Sequence, residues 1–589
     1  MTALNPTLDA AEADLLSAVS ADELIEFTKQ VSTEVRLSGS PEELRALQLA
    51  ESQLAAWGFR TRLLAHDGYI SLPGLARLEA AGLGELECIT HSFAVSTPSS
   101  GLVAELIDVG AGAEADWAQP KIRGRIALVE GLATPEMARR ANLAGSAGQI
   151  FINDDHLHEM ILSPVWGNPT PNQLSLYPHT PAVSVRQSDG VRIRAALASG
   201  IHTATMTTTV TTGWRTLPLL EASLAGTDEP ETFVLFAGHI DSWHYGAMDN
   251  GSANATMLHL ARLLAERRTL LRRGLRVCFW SGHSHGRYAG STWYVDHHWD
   301  DLRQHCAAYV NIDSVGGQGA TLLAEGYCMA ETFDLGRDVI RRYGGQEFAG
   351  ARVGRVGDES LVGVGVPALL MTVSEQPAVG GATGAASVIG GRSGGLGWWW
   401  HTPEDTLDKL DPTLLARDAQ LYAATLFRLC AEPILPFNYA AAAAELDMFV
   451  AEYQQLLGDR FDVAPARERT QALIQGAAIL HGALERLRVR LADGDAPANL
   501  AAINAALMAL GRAIIPLNYT AAGPFGHDPA LAVPPLPLLD AARQLAAAAV
   551  DSDAAKFSAV ALQRGLNQVV YGLDVALAAV DQARAIVGD

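Results

Sequence analysis

Between residues 233 and 313 the chain repeats one pattern three times: a short apolar run stops at a residue able to ligate a metal. Phe233–Phe236 leads into Ala-Gly-His239-Ile-Asp241-Ser242. Leu275–Trp280 ends in Ser-Gly-His283-Ser284-His285, and Ala308–Ile312 ends in Asp313-Ser314. Helical patterns at Ser252–Arg267 and Ser291–Asp301 separate the runs. Buried strands alternating with helices specify an α/β fold with a mostly parallel sheet flanked by helices. In such sheets ligands bind beyond the carboxyl ends of the strands. Two more elements belong to this set. Asp249-Asn250-Gly251-Ser252 opens the first helix, and Gly380–Gly397, with eight glycines in eighteen residues, leads to Trp398-Trp399-Trp400-His401. A loop that long is more often functional than not. Taken singly, a histidine after a strand is an ordinary loop residue and Asp-Asn-Gly is a common turn. Several such residues in one α/β segment are what a dinuclear site for Zn²⁺ or a similar ion requires.

The flanks divide the chain into four expected parts. Residues 1–64 read as helical, with Ser40-Pro41-Glu42-Glu43 as a helix start. Residues 65–214 read as a β-rich insert, with strands at Leu102–Val109, Arg125–Val129, Gly148–Ile152 and Ala182–Val185 and one helix at Ala138–Ala144. Residues 215–434 are the α/β part, and 435–589 an Ala- and Leu-rich helical bundle. Hydrophobic residues make up 49% and charged residues 18%, which excludes disorder. A net charge of −22 argues against general nucleic-acid binding. The five cysteines are far apart with no CxxC pair, so no disulfide framework is expected and a reducing compartment is. No signal-peptide pattern and no run of about 18 apolar residues is read, so the expectation is a cytoplasmic protein without a membrane partner.

The motifs Gly238–Ser242 (GHIDS), Met248–Ser252 (MDNGS), Asn311–Asp313 (NID) and His401–Thr406 (HTPEDT) resemble those of the co-catalytic zinc peptidases, the group containing aminopeptidases, glutamate carboxypeptidase II and the transferrin receptor. Arg36–Pro41 is similar to that family's entry segment, the insert to a protease-associated domain, and the helical tail to its dimerisation domain. The resemblance implies that His239, Asp249 and Asp313 hold one metal. Asp249 would bridge to a second held by His401 and one further ligand. Asp241 would accept the other ring N–H of His239, and the Asp249-Asn250 peptide would be strained or cis. It also implies a homodimer through the C-terminal helices.

One motif departs from the family. Where the family has two adjacent glutamates, a general base and a metal ligand, this chain reads Trp280-Ser-Gly-His283-Ser284-His285-Gly-Arg287-Tyr288-Ala-Gly290-Ser291, without a carboxylate and with one extra residue. Aligned from Trp280, His283 takes the base position and Ser284 the ligand position. Aligned from Gly290-Ser291, Ser284 takes the base position and His285 the ligand position. Imidazole is a better ligand than hydroxyl, so His285 is expected as the fifth ligand and His283 as acid/base or additional ligand. Losing a carboxylate also suits Mn²⁺ or Fe²⁺ beside Zn²⁺. Trp243, Tyr245 and Trp400 are candidates for an aromatic substrate pocket or for plain core packing. Arg287 and Arg392 are candidate carboxylate clamps or structural arginines. The expected activity is metal-dependent hydrolysis of an amide bond, in a peptide-like or N-acyl amino acid substrate, with a non-catalytic binding protein as the alternative.

Overall fold

Strands Arg273–Trp280, Glu229–His239, Cys306–Asn311 and Ala368–Leu369 lie side by side and parallel in the middle of the molecule. Alternation along each strand splits its side chains between two cores. Val234, Phe236, Val277 and Phe279 face a core shared with helices Ala253–Glu266 and Pro412–Ala431. Phe233, Leu235, Cys278 and Trp280 face a second, closed by Tyr294, Val295 and Leu302 from helices Ala289–His297 and Trp299–His305. The mostly parallel α/β sheet is as expected. The computed structural model describes residues 6–200, 202–378, 393–494 and 499–588. Most of the glycine-rich stretch, including Arg392, lies outside the described residues.

The insert leaves the sheet on a two-stranded ribbon. Arg60–Ala80 and Thr203–Leu224, of 21 and 22 residues, pair antiparallel along nearly their whole length. At one end Thr203–Leu224 pairs with Arg273–Trp280, and at the other with Leu102–Asp108. The expected divisions at 64/65 and 214/215 fall inside this ribbon. Beyond it, Leu102–Asp108, Ile126–Glu130, Gly148–Ile152 and Ala182–Val185 form a parallel sheet. Helices Pro135–Ala144 and Gln187–Ala198 accompany it. The insert is rich in strands, and its helices include Gln187–Ala198 beside the one expected, because parallel strands need crossover connections.

The C-terminal part is helical as read, with Tyr439–Leu457, Ala464–Ala492, Leu500–Tyr519 and Asp553–Val587 as its long helices. Their apolar faces join the core beneath the sheet helices. Leu500–Tyr519, with mean hydropathy 1.7, is long and apolar enough to cross a membrane, and 61% of it is buried inside the fold. Asn504 and Arg512 interrupt its apolar run in the sequence. Arg512 anchors the helix to the α/β part by donating to the carbonyls of Leu302, Arg303, Cys306 and Gly365.

Candidate metal centre

Each expected ligand lies where a strand or loop ends, and hydrogen bonds between those ends fix the cluster. His239 closes its strand and is 1% exposed. Asn250 donates to the carbonyls of His239 and Ile312 and accepts from the Ser314 amide, tying three segments together. The Asp249-Asn250 peptide is cis. Gly238 is required by close approach, since a Cβ there would lie 2.5 Å from the Ile312 carbonyl oxygen. The amides of Met248 and Asp249 donate to Asp405, whose carboxyl burial pushes up to about 7.

Asp249 stands between two histidines, one on each oxygen. Its Oδ1 is 3.1 Å from His239 Nε2 and its Oδ2 is 3.1 Å from His401 Nε2. Asp313 Oδ1 lies 3.6 Å from His239 Nε2. His239 Nε2 is buried and makes no hydrogen bond despite these neighbours. Burial opposes a charge on His239, yet Asp313, Asp241 and Asp249 together raise its pKa well above the ordinary value. An imidazole nitrogen and carboxylate oxygens at such spacing, without hydrogen-bond geometry, form a donor set that fits a divalent cation. His239, Asp249 and Asp313 would hold one ion, and Asp249 with His401 would hold a second. His401 donates through Nδ1 to the Glu159 carbonyl, 2.6 Å away, and stacks on Trp400 with ring centres 3.4 Å apart.

The His-Ser-His segment divides differently from its sequence order. A ring nitrogen of His283 lies within 4.8 Å of the ligand atoms of His239 and Asp313. Its ring is parallel to that of His239, with centres 3.7 Å apart. Among the described residues this three-membered group holds His283 and not His285. His285 is 1% exposed, with Nδ1 2.9 Å from Ser38 Oγ and its ring against Trp243. Burial lowers its pKa to about 4, so it is neutral at neutral pH. Ser284 is buried and its amide donates to Asp241.

Asp241 differs in detail from expectation. His239 Nδ1 is 2.8 Å from the Asp241 carbonyl oxygen, whereas the carboxylate is 3.6 Å away. The carboxylate accepts instead from Ser38 Oγ and from the amides of His283 and Ser284. Burial opposes its charge, but His239, His283 and Ser38 hold its carboxyl below the usual carboxylate range. The physical reason is that these three donors hold the carboxylate, so the carbonyl oxygen of the same residue meets the ring nitrogen.

Residues 220–426 match the model of peptidase family M28. The match falls on the α/β part, which carries the ligand cluster. A maize (Zea mays) protein described as probable glutamate carboxypeptidase VP8 is 24% identical over 486 residues, covering 70% of this chain and 67% of that protein. A mouse (Mus musculus) protein described as aminopeptidase NAALADL1 is 32% identical over 110 residues, which are 18% of this chain and 14% of the mouse protein. A peptidase M28 precursor from Shewanella amazonensis superposes with a TM-score of 0.58 at 19% identity, covering 73% of this chain and 98% of its own. A zinc aminopeptidase from Bacillus subtilis gives 0.54 at 20% identity, covering 70% and 96%.

Around the ligand cluster, the other candidates take different positions. Trp243 is 7% exposed, packs with Phe93 and Ile161, and leaves its buried Nε1 without a partner. Trp400 backs His401, and Tyr245 is 47% exposed. Arg287 makes no ion pair among the described residues. Its buried Nε is unpartnered and its guanidinium lies 5.0 Å from the Tyr288 ring centre. The sequence reading missed Asp358, whose Oδ2 is 2.7 Å from His283 Nδ1. Nothing in Gly357-Asp358-Glu359-Ser360 marks it except that it precedes a strand of the same sheet.

Proposed function

We propose that the chain is a metal-dependent hydrolase of amide bonds, in peptide-like or N-acyl amino acid substrates. The observation that carries this reading is Asp249 placed between His239 and His401, one carboxylate oxygen to each imidazole. A bound divalent cation, Zn²⁺ or else Mn²⁺ or Fe²⁺, would polarise the substrate carbonyl and acidify the attacking water. His239, Asp249 and Asp313 would hold one ion and Asp249 with His401 a second, while Asp405 and Asn250 keep the Asp249 loop in place. No glutamate stands in the segment 281–291, so imidazole replaces carboxylate as proton carrier there. Both His283 and His285 have Nδ1 committed to the scaffold, which leaves Nε2 of His285 as the proton carrier and Nε2 of His283 on the side of His239 and Asp313.

Arg287 would meet a substrate carboxylate, because its guanidinium has no carboxylate of its own. Trp243 and Tyr245 would line the acyl side, and Trp400 would act through His401. The five unpaired cysteines suit a reducing, cytoplasmic setting. Helix Asp553–Val587 exposes Phe557, Val560, Tyr571 and Val575, and we assign this face to a homodimer. A non-catalytic binding protein is disfavoured by the cluster itself, since buried carboxylates without a counter-ion are costly.

The test is a screen of aminoacyl and N-acyl amide substrates with the purified protein, before and after chelation. Activity lost on chelation and restored by Zn²⁺ supports the reading. A protein that binds metal but cleaves none of these amides points to another metal-dependent reaction, and one that binds none supports the binding-protein alternative.

A further inference from the structure

We propose that Asp358 is a positioning residue for the metal centre. It holds His283 as the Nδ1–H tautomer, so that Nε2 becomes a donor to the cation held by His239 and Asp313. The inference rests on the reading of the cluster as a metal centre and goes beyond it, since neither residue type nor spacing marks Asp358 in the sequence.

The argument begins with proton counting. A carboxylate only accepts hydrogen bonds. Asp358 is 1% exposed and both of its oxygens are engaged. Oδ1 accepts from Ser291 Oγ at 2.7 Å, and Oδ2 is 2.7 Å from His283 Nδ1. The proton of that second bond must therefore sit on His283 Nδ1. A neutral ring with its proton on Nδ1 has its lone pair on Nε2. Among the described residues Nε2 makes no hydrogen bond, and it is the nitrogen left to serve a ligand group with His239 and Asp313.

The acceptor is itself rigid. Tyr309 donates to the Asp358 carbonyl at 3.0 Å, and Ser291 Oγ lies 2.9 Å from Ser360 Oγ, which accepts from Trp166 Nε1. The His283 ring is held between the parallel His239 ring and the edge-on Tyr288 ring, 4.9 Å away. A carboxylate that orients a histidine ligand in this way also raises its basicity toward the metal. His283 thereby stands in for one missing carboxylate with a neutral donor, and Asp358 returns the negative charge one bond further out.

The experiment uses the full chain stripped of metal and titrated with Zn²⁺ against a competing chelator, and with Co²⁺ followed by its visible absorption. Asp358→Asn keeps an acceptor for Ser291 but can donate to Nδ1, which moves the ring proton to Nε2. It is expected to weaken cation binding ~10–100-fold and to change the Co²⁺ spectrum, with the melting temperature of the metal-free protein unchanged. His283→Ala is expected to do the same, and the double variant to bind no more weakly than His283→Ala alone. Wild-type affinity in either single variant, or additive losses in the double variant, would overturn the proposal. If the wild-type chain binds neither ion, the metal reading falls and the proposal with it. That result differs from the failure of Asp358 alone, in which the wild-type chain binds.

Discussion

A single carboxylate serving two imidazoles makes Asp249 the residue on which both halves of the centre depend. His239 and Asp313 stand on one side of it and His401 on the other. Asp249→Ala should therefore abolish zinc binding altogether, measured as metal per chain by elemental analysis, whereas His401→Ala should leave the ion on the His239 side. Equal loss from both variants would mean that the two halves are not separable. His239 and Asp313 stood out in the sequence as polar residues after apolar runs, Asp249 as the start of a helix and His401 as the end of a glycine-rich loop. The roles within His283-Ser284-His285 were not, because a one-residue insertion leaves two alignments open. Only Asp358 on one side and Ser38 on the other show which ring faces the cluster.

At the scale of elements, the loop after strand Glu229–His239 is held from outside the sheet. Arg36, fully buried, sends its guanidinium to the carbonyls of Val31, Glu34, Ile240, Tyr245 and Gly246. Burial lowers its pKa to about 10, so it remains charged at neutral pH. Five carbonyls lose their donor together in Arg36→Ala. The expected destabilisation is ~3–5 kcal/mol, the range for breaking a buried charged network, read by urea denaturation of the metal-free protein. A loss below about 1 kcal/mol would show that water takes over those carbonyls. The Arg36–Pro41 segment stood out in the sequence only by its likeness to an entry segment. Its structural work, Arg36 on the loop and Ser38 on Asp241 and His285, spans about two hundred residues of chain.

Across the whole molecule, the helical part and the α/β part meet over buried titratable groups. Glu331 is 2% exposed, its Oε1 has no partner, and burial with Glu445 nearby raises its pKa to about 8. A folded-state pKa above the unfolded value of ~4.3 means that the native state holds a proton the unfolded chain releases. This contribution is fully present below pH ~4.3 and is lost as pH rises toward about 8. Glu331→Gln keeps the shape without the titration. It should gain stability on wild type by up to ~1.4 kcal/mol per pH unit across that window, with no gain below it, measured by denaturation at stepped pH. A second expectation belongs to the assembly: light scattering at micromolar concentration should give a dimer, and Phe557→Glu with Tyr571→Glu should give a monomer of unchanged melting temperature. A wild-type monomer at that concentration would sink the dimer.

What the sequence determined by itself was whatever repeats locally. Apolar runs of four to eight residues and the helical spacing between them depend on neighbours along the chain, so the parallel sheet and the helical tail were readable, while the choice of His239, Asp249, Asp313 and His401 as a ligand set came from the likeness of their motifs to a known family. The two-stranded ribbon shows the limit. Arg60–Ala80 and Thr203–Leu224 read as parts of different regions, because their pairing joins residues more than a hundred positions apart. The tertiary structure alone decided which histidine of His283-Ser284-His285 joins the cluster. A tautomer is set by the hydrogen-bond partner of the other ring nitrogen, and those partners, Asp358 and Ser38, come from distant loops that only the folded chain brings beside the ring.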